Sequence, residues 1–476
     1  MNISIPRAAT VLTLLVPFAM VATAQLPDSP TGRAGNAIIK VLKGGPEAAT
    51  AEFFTTYFSD DYLAEETAAE RAEWLAAILE RFGALELQGV QKTAAFGANI
   101  MASSETTGAQ VEIRYFVEEE EPHRIEVLNI EETGSAIEPM SQEAMVAAVG
   151  EQLGQLTTDK KFSGVALVAR GEEVLFEQAY GLANRRFAAP NAVDTPFNLG
   201  SINKMFTKIA LAQLARDGKL SLDDTVAKHL PDYPNPEVAA RITIAQVANH
   251  TSGLGDIFTD EFAATAKTEF QQPSDYFKLF ANDPLLFEPG EGNQYSNGGY
   301  MVLGAIIEAV SGENYHDYVQ ANIFEPAGMT ASGPHALDDA KIPLATGYTR
   351  MGDDHDAGPM RENTFLIPHT GTSAGGGYST VRDLLAFRHA FFNQKLIDGR
   401  YMAWITSDRL PDEAPEIDPN SLGIGIAGGG PGVNAMLEMD GEWTVVVLTN
   451  LDPPSAMDAT GQLRALIGAV QKYERH

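Results

Sequence analysis

Apolar residues recur at helical spacing near the start of the chain, at Phe53, Phe54, Tyr57 and Phe58 and again at Trp74, Leu75, Ile78, Leu79 and Phe82, where Gly83 ends the second set. The period then changes to alternation. Leu85 to Thr93, Gly97 to Ser103, Ala109 to Val117 and Arg124 to Ile130 predict four strands separated by glycine and polar turns. The acidic run Glu118 to Glu121 falls at a turn and reads as a solvated hairpin tip, not a metal site. Two helices followed by a curved antiparallel sheet make a small α+β unit.

Around Gly134 to Pro139 the composition loosens, and a new amphipathic helix opens at Ser141 with Met145, Ala148, Val149 and Leu153 on one face. The chain therefore divides into residues 1–24, residues 25–138 and residues 139–476. In the last segment a hairpin is predicted for Ser163 to Ala169 and Glu172 to Tyr180 around Arg170-Gly171. A second joins Asn434 to Met439 and Glu442 to Thr449 around Asp440-Gly441, and a closing helix runs from Ser455 to Tyr473. Helix, hairpin, long helical insertion, hairpin and helix bring both ends of this segment onto one antiparallel sheet, an α+β arrangement within the broad α/β class.

The composition narrows the chemistry. The 476 residues carry 33 Lys plus Arg against 64 Asp plus Glu, a formal charge of −31, which disfavours phosphate backbones and so nucleic-acid partners. With no cysteine, the chain has no disulfide framework, no cysteine metal site and no thiol nucleophile. Arg7, the apolar run Ala8 to Ala22 and the small-residue end Ala22-Thr23-Ala24 fit a secretory signal peptide, which predicts an exported protein, periplasmic or secreted. No other run approaches the roughly 20 apolar residues of a membrane span.

Two segments carry candidate chemistry. In Phe197-Asn198-Leu199-Gly200-Ser201-Ile202-Asn203-Lys204, Ser201 and Lys204 stand one helical turn apart, with Ile202, Met205, Phe206, Ile209 and Leu214 turned to the core. A hydroxyl becomes a competent nucleophile when a base takes its proton, and a buried lysine can be that base. A serine in the first turn of a helix also meets the positive end of the helix dipole. Taken alone, the pair reads more simply as a helix N-cap followed by a surface lysine. The second segment, Glu288-Pro289-Gly290-Glu291-Gly292-Asn293-Gln294-Tyr295-Ser296-Asn297-Gly298-Gly299, presents Tyr295 and Asn297 from a glycine-rich loop before a helix over Met301 to Val310. A tyrosine beside a lysine can serve as general base or acid, and an amide can orient a carbonyl or an ammonium.

Together Ser201-x-x-Lys204 and Tyr295-Ser296-Asn297 resemble the serine β-lactamase and penicillin-recognising superfamily, in particular its class C-like branch with esterases and D-amino-acid peptidases. Asn249-His250-Thr251-Ser252-Gly253-Leu254 and Ala374-Gly375-Gly376-Gly377-Tyr378-Ser379-Thr380-Val381-Arg382-Asp383-Leu384 are similar to recurring segments of the same family. The resemblance covers Ser141 to the C-terminus. It implies an antiparallel sheet flanked by helices with an all-helical insertion, Ser201 as acylated nucleophile, Lys204 as its proton acceptor, Tyr295 as the partner base, and Asn297 as an orienter. It implies no cofactor. Hydrolysis would run through an acyl-enzyme, with one oxyanion donor from the Ser201 N–H and a second from Gly428 or Gly429.

Where the family carries Lys-Thr-Gly or His-x-Gly on a strand facing the serine, this chain has Ile426-Ala427-Gly428-Gly429-Gly430, with neither Lys nor His. A substrate carboxylate loses its usual partner there, so a small neutral ester or amide is the expected substrate, ahead of a β-lactam or D-aminoacyl peptide. The different-class alternative is a catalytically weak binding or scaffolding protein.

Three other features read as decoys or supports. Gly371-Thr372-Ser373-Ala374-Gly375 matches a nucleophile elbow but lacks its strand-turn-helix context. Gly352-Asp353-Asp354-His355-Asp356 reads as a solvated loop, so no metal site is expected. His250 is read as ending a helix over Ile242 to Asn249, where the dipole favours it. The first unit resembles NTF2-like cones, which by itself assigns no function. Substrate choice is expected to depend on loops such as Thr259 to Phe280 and Arg350 to Pro368.

Overall fold

A computed structural model describes residues 16–18 and 29–474, apart from residues 95, 105–108, 119–120, 136, 351–358, 414 and 416–421. The leader read over residues 1–24 lies outside these residues except for the short strand Val16–Phe18, and the Gly352 to Asp356 loop lies wholly outside them. Among the described residues no helix is long and apolar enough to cross a membrane. The chain separates into two compact units, one spanning Glu143–Arg464 and the other built on Val16–Gln142.

In the smaller unit an antiparallel sheet runs in the order Leu85–Ala94, Gly97–Ser104, Ala109–Val117, Ile125–Ser135. Burial along Ala109–Val117 alternates strictly, with Val111, Ile113, Tyr115 and Val117 turned inward. Among the described residues four helices pack here where the sequence suggested two: Pro30–Gly44, Ala51–Tyr57, Asp60–Glu65 and Ala68–Phe82. The first opens on a Ser29 cap followed by Pro30 and buries Thr31, Gly32, Ala34, Gly35, Ile38, Val41 and Leu42. It is tied down where the Tyr115 hydroxyl donates to the Thr31 carbonyl at 2.9 Å.

The larger unit is organised by a sheet in which Gly423–Gly430, Val433–Asp440, Trp443–Thr449, Gly164–Arg170 and Glu173–Tyr180 pair antiparallel in that order. Trp443–Thr449 pairs with Gly164–Arg170, so the strands near the two ends of this segment are neighbours, as the order of elements suggested. The hairpin tips sit one residue later than the sequence suggested. Arg170 pairs with Glu173 and Asp440 with Trp443, which leaves Gly171-Glu172 and Gly441-Glu442 as the turns. Alternation sends Ala435, Leu437 and Met439 into the main core, while Asn434 and Glu438, of opposite parity, meet the closing helix Ser455–Glu474. There the Asn434 side chain accepts from the Ala456 N–H at 2.7 Å, and Arg464 pairs with Glu438.

At the centre of the core lies Asn203–Arg216, buried on every side from Asn203 to Leu214. A helix buried all round has no polar face on which to put a lysine. Lys204 and Lys208 are therefore enclosed, at 5% and 1% exposure, and the surface-lysine reading of Lys204 fails.

His316, in the short helix Tyr315–Val319, is held by burial at about 4, well below an ordinary imidazole. The unfolded chain takes up this proton near pH 6.5 and the folded chain does not, so the contribution is complete above pH 6.5 and is lost as pH falls toward 4. Urea unfolding at stepped pH should show stability declining over that window. His316→Gln should flatten the decline by up to about 1.4 kcal/mol per pH unit, and an unchanged slope would contradict the assignment.

Candidate active site

The serine stands on a backbone turn held by its neighbours. Phe197 and Asn198 pair with Ser379 and Tyr378, and the Leu199 N–H donates to the Gly377 carbonyl at 2.8 Å. The chain then turns at Gly200, where φ is +51, into the short 3-10 segment Gly200–Ile202, which continues as Asn203–Arg216. A Cβ on Gly200 would lie 2.8 Å from the Gly429 nitrogen, so both the conformation and the space demand glycine. Ser201 caps nothing here. Its Oγ lies 2.6 Å from the Tyr295 hydroxyl and accepts from Lys204 Nζ at 3.2 Å.

Lys204 spends all three of its donors. Besides Ser201, Nζ donates to Asn297 Oδ1 at 2.8 Å and to the Ala374 carbonyl. The Tyr295 and Tyr300 rings lie beside the ammonium, with centroids 4.7 Å and 5.1 Å from Nζ. A buried ammonium is tolerable only when its hydrogens are matched in this way.

Tyr295 and Asn297 are fixed by a helix start that the sequence placed too late. The helix is Asn297–Ser311, not Met301 to Val310, because Ser296 caps it: its Oγ accepts from the Gly299 N–H at 2.8 Å and donates to the Gly255 carbonyl at 2.6 Å. The glycines at 298 and 299 have low helix propensity and read as loop, yet the cap overrides them. Asn297 thus occupies the first helical position. Asp256 orients it, accepting from the Asn297 backbone N–H at 3.1 Å and from Nδ2 at 2.9 Å. Asp256 carries no signal in the sequence, because nothing links it to an asparagine 41 positions on.

His250 follows the helix Ile244–Ala248, shorter than the sequence suggested, and takes a left-handed backbone with φ of +61. The dipole argument for it does not survive. Burial, together with the charges of Lys204 and Lys208, drives its pKa well below the ordinary value, so the ring is neutral. Its Nδ1 accepts from the Ser296 N–H at 3.1 Å, which leaves the ring proton on Nε2. The imidazole packs against Tyr295 and Tyr300, tilted 33° to each ring, with centroids 4.5 Å and 5.2 Å away.

The glycine-rich strand lies against the nucleophile turn. A Cβ on Gly428 would sit 1.9 Å from the Leu199 carbonyl oxygen and 2.9 Å from the Ser201 nitrogen, so only a glycine permits the approach. Ile426 and Ala427 line the cleft that opens onto Ser201 and Lys204, and the strand brings no cation to it. Ser373 of the elbow-like motif is fully buried, with its hydroxyl 3.7 Å from the Met301 sulfur. That motif presents carbonyls instead: Ser373 O accepts from Thr207 Oγ1 at 2.7 Å, and Ala374 O accepts from Lys204. Among the described residues no cluster of His, Asp or Glu could hold a metal ion. The Thr259 to Phe280 stretch contains the helix Asp260–Ala264 and the 3-10 segment Pro273–Leu279.

A family model described as Beta-lactamase matches residues 149–469. The chain is 31% identical over 252 residues to penicillin-binding protein 4* of Bacillus subtilis (strain 168), covering 50% of this chain and 54% of that protein. It is 31% identical over 218 residues to esterase EstB of Burkholderia gladioli, covering 43% and 55%. It thus spans about half the length of these curated relatives. The crystal structure of a penicillin binding protein from Bacillus halodurans superimposes with a TM-score of 0.57 at 31% identity, over 66% of this chain and 99% of that one. A D-amino acid amidase from Ochrobactrum anthropi SV3 shares the fold, with a TM-score of 0.56 at 22% identity over 69% and 99%. With the serine, lysine, tyrosine and asparagine gathered on this fold, the chain belongs to the beta-lactamase family.

Proposed function

We propose that this chain is an exported serine hydrolase that cleaves a small ester or amide through an acyl-enzyme on Ser201. The observation that carries the reading is the placement of Ser201 Oγ between Tyr295, at 2.6 Å, and Lys204, at 3.2 Å, in an open cleft. Both are within the reach that proton transfer requires. As Oγ attacks the substrate carbonyl its proton passes to the Tyr295 oxygen, whose negative charge in the reacting form is balanced by the Lys204 ammonium beside it. Tyr295 then returns a proton to the leaving group, and water releases the acyl group. Asn297, braced by Asp256, holds Lys204 in register.

The Ser201 N–H supplies one donor to the tetrahedral oxyanion, and the backbone at Gly428 or Gly429 supplies the second. The relatives with esterase and amidase names are consistent with this chemistry. Export rests on the leader-like residues 1–24. A cleft wall of Ile426 and Ala427 offers no ion pair to a substrate carboxylate, which favours neutral acyl groups.

Ser201→Ala should abolish turnover of p-nitrophenyl esters, and Tyr295→Phe should lower kcat by about 10²–10⁴ while the fold is retained by circular dichroism. A Ser201→Ala protein as active as the parent would remove the proposal. Gly428→Ala should force the strand away from Leu199 and lower kcat/KM by roughly 10²–10³, the loss seen when one oxyanion donor is removed. Its stability should fall by about 1–3 kcal/mol from overpacking. A kcat/KM within threefold of the parent would place the second donor elsewhere.

A further inference from the structure

The nucleophile helix carries a second lysine on its active face. Ser201, Lys204 and Lys208 stand at i, i+3 and i+7, so Lys208 lies about 10 Å farther along the axis on the same side. The cleft that opens onto Ser201 is also lined by Lys208, Asp408 and Asn249. Lys208 is buried, with 1% of its side chain exposed, and Nζ donates to Asp408 Oδ1 at 2.6 Å. Asp408 is the outer partner, with 53% of its side chain exposed. It follows the helix Gly399–Ser407 in a left-handed conformation, φ +57, and its carbonyl accepts from Asn249 Nδ2 at 3.0 Å. Among the described residues Asn249 Oδ1 is buried with no hydrogen-bond partner.

A cation this buried needs a counter-charge, and here an internal carboxylate reached from the solvent side provides it. The strand facing the serine offers no cation, so the cation of this cleft comes from the helix instead, already occupied. We propose that Lys208 forms a carboxylate subsite at the far end of the cleft, and that Asp408 is its built-in occupant, closing it to anionic acyl groups. Specificity for neutral substrates then follows from an internal ion pair as much as from the missing strand cation. The inference rests on the acyl-transfer reading for its kinetic test, but its binding test does not.

Asp408→Asn removes the charge and keeps a side chain that tolerates the left-handed backbone. The test compares p-nitrophenyl hydrogen glutarate, adipate and suberate with their methyl esters. In the D408N variant the ratio of kcat/KM for acid over methyl ester should rise about tenfold at one or more chain lengths, and the double variant K208M/D408N should lose the gain. Independently of turnover, in proteins that all carry Ser201→Ala, calorimetry should show monomethyl suberate binding about tenfold more tightly when Asp408→Asn is added, and no more tightly than the Ser201→Ala protein when K208M/D408N is added. Unchanged ratios at every chain length, together with unchanged monomethyl suberate binding, would overturn the subsite. Absence of ester turnover in the parent with the binding gain intact would count against acyl transfer while supporting the subsite.

Discussion

The burial of Lys204 is the constraint on which the rest of the site depends. A cation enclosed in an apolar core is stable only if each of its hydrogens finds an acceptor. Those acceptors come from three separate parts of the chain: Ser201 on the same helix, Asn297 at the start of another, and the Ala374 carbonyl from a glycine-rich loop. Each needs its own support. Asp256 aims Asn297, the Ser296 cap fixes the helix that carries it, and Thr372 closes the turn that presents Ala374. The same arrangement that satisfies the ammonium thereby delivers Tyr295 to the serine hydroxyl, and the neutral His250 ring, packed on Tyr295, adds no competing charge.

Charge inside the cleft is arranged differently from what the overall balance of −31 suggests. Two lysines project from one buried helix, and the strand opposite carries only glycine, alanine and isoleucine. Gly428 trades any side chain for close backbone approach to Ser201, which suits a hydrogen-bond donor aimed at an oxyanion and leaves no room for a cation. The acidity of the chain acts at long range, while the Lys208–Asp408 pair sets the local balance.

The strands were legible because apolar residues at every second position line one face of a pleated strand and scatter around a helix, as in Ala109–Val117. Ser201, Lys204, Tyr295 and Asn297 were legible as short motifs, and the structure brings all four together. What escaped has a common cause. The start of Asn297–Ser311 depends on a cap that outweighs two glycines. Asp256 and Asp408 act on Asn297 and Lys208, 41 and 200 positions away, and no local periodicity records such contacts. The neutral ring of His250 likewise follows from burial and from Lys204 and Lys208 nearby, none of which is read from a helix end.

The central claim is that Ser201 is the residue that becomes acylated. Its most direct test is to react the purified chain with a fluorophosphonate, digest it, and locate the adduct by tandem mass spectrometry. The account requires one stoichiometric adduct, on the peptide containing Ser201. An adduct on Ser373, or no adduct on a protein that still hydrolyses p-nitrophenyl esters, would contradict it.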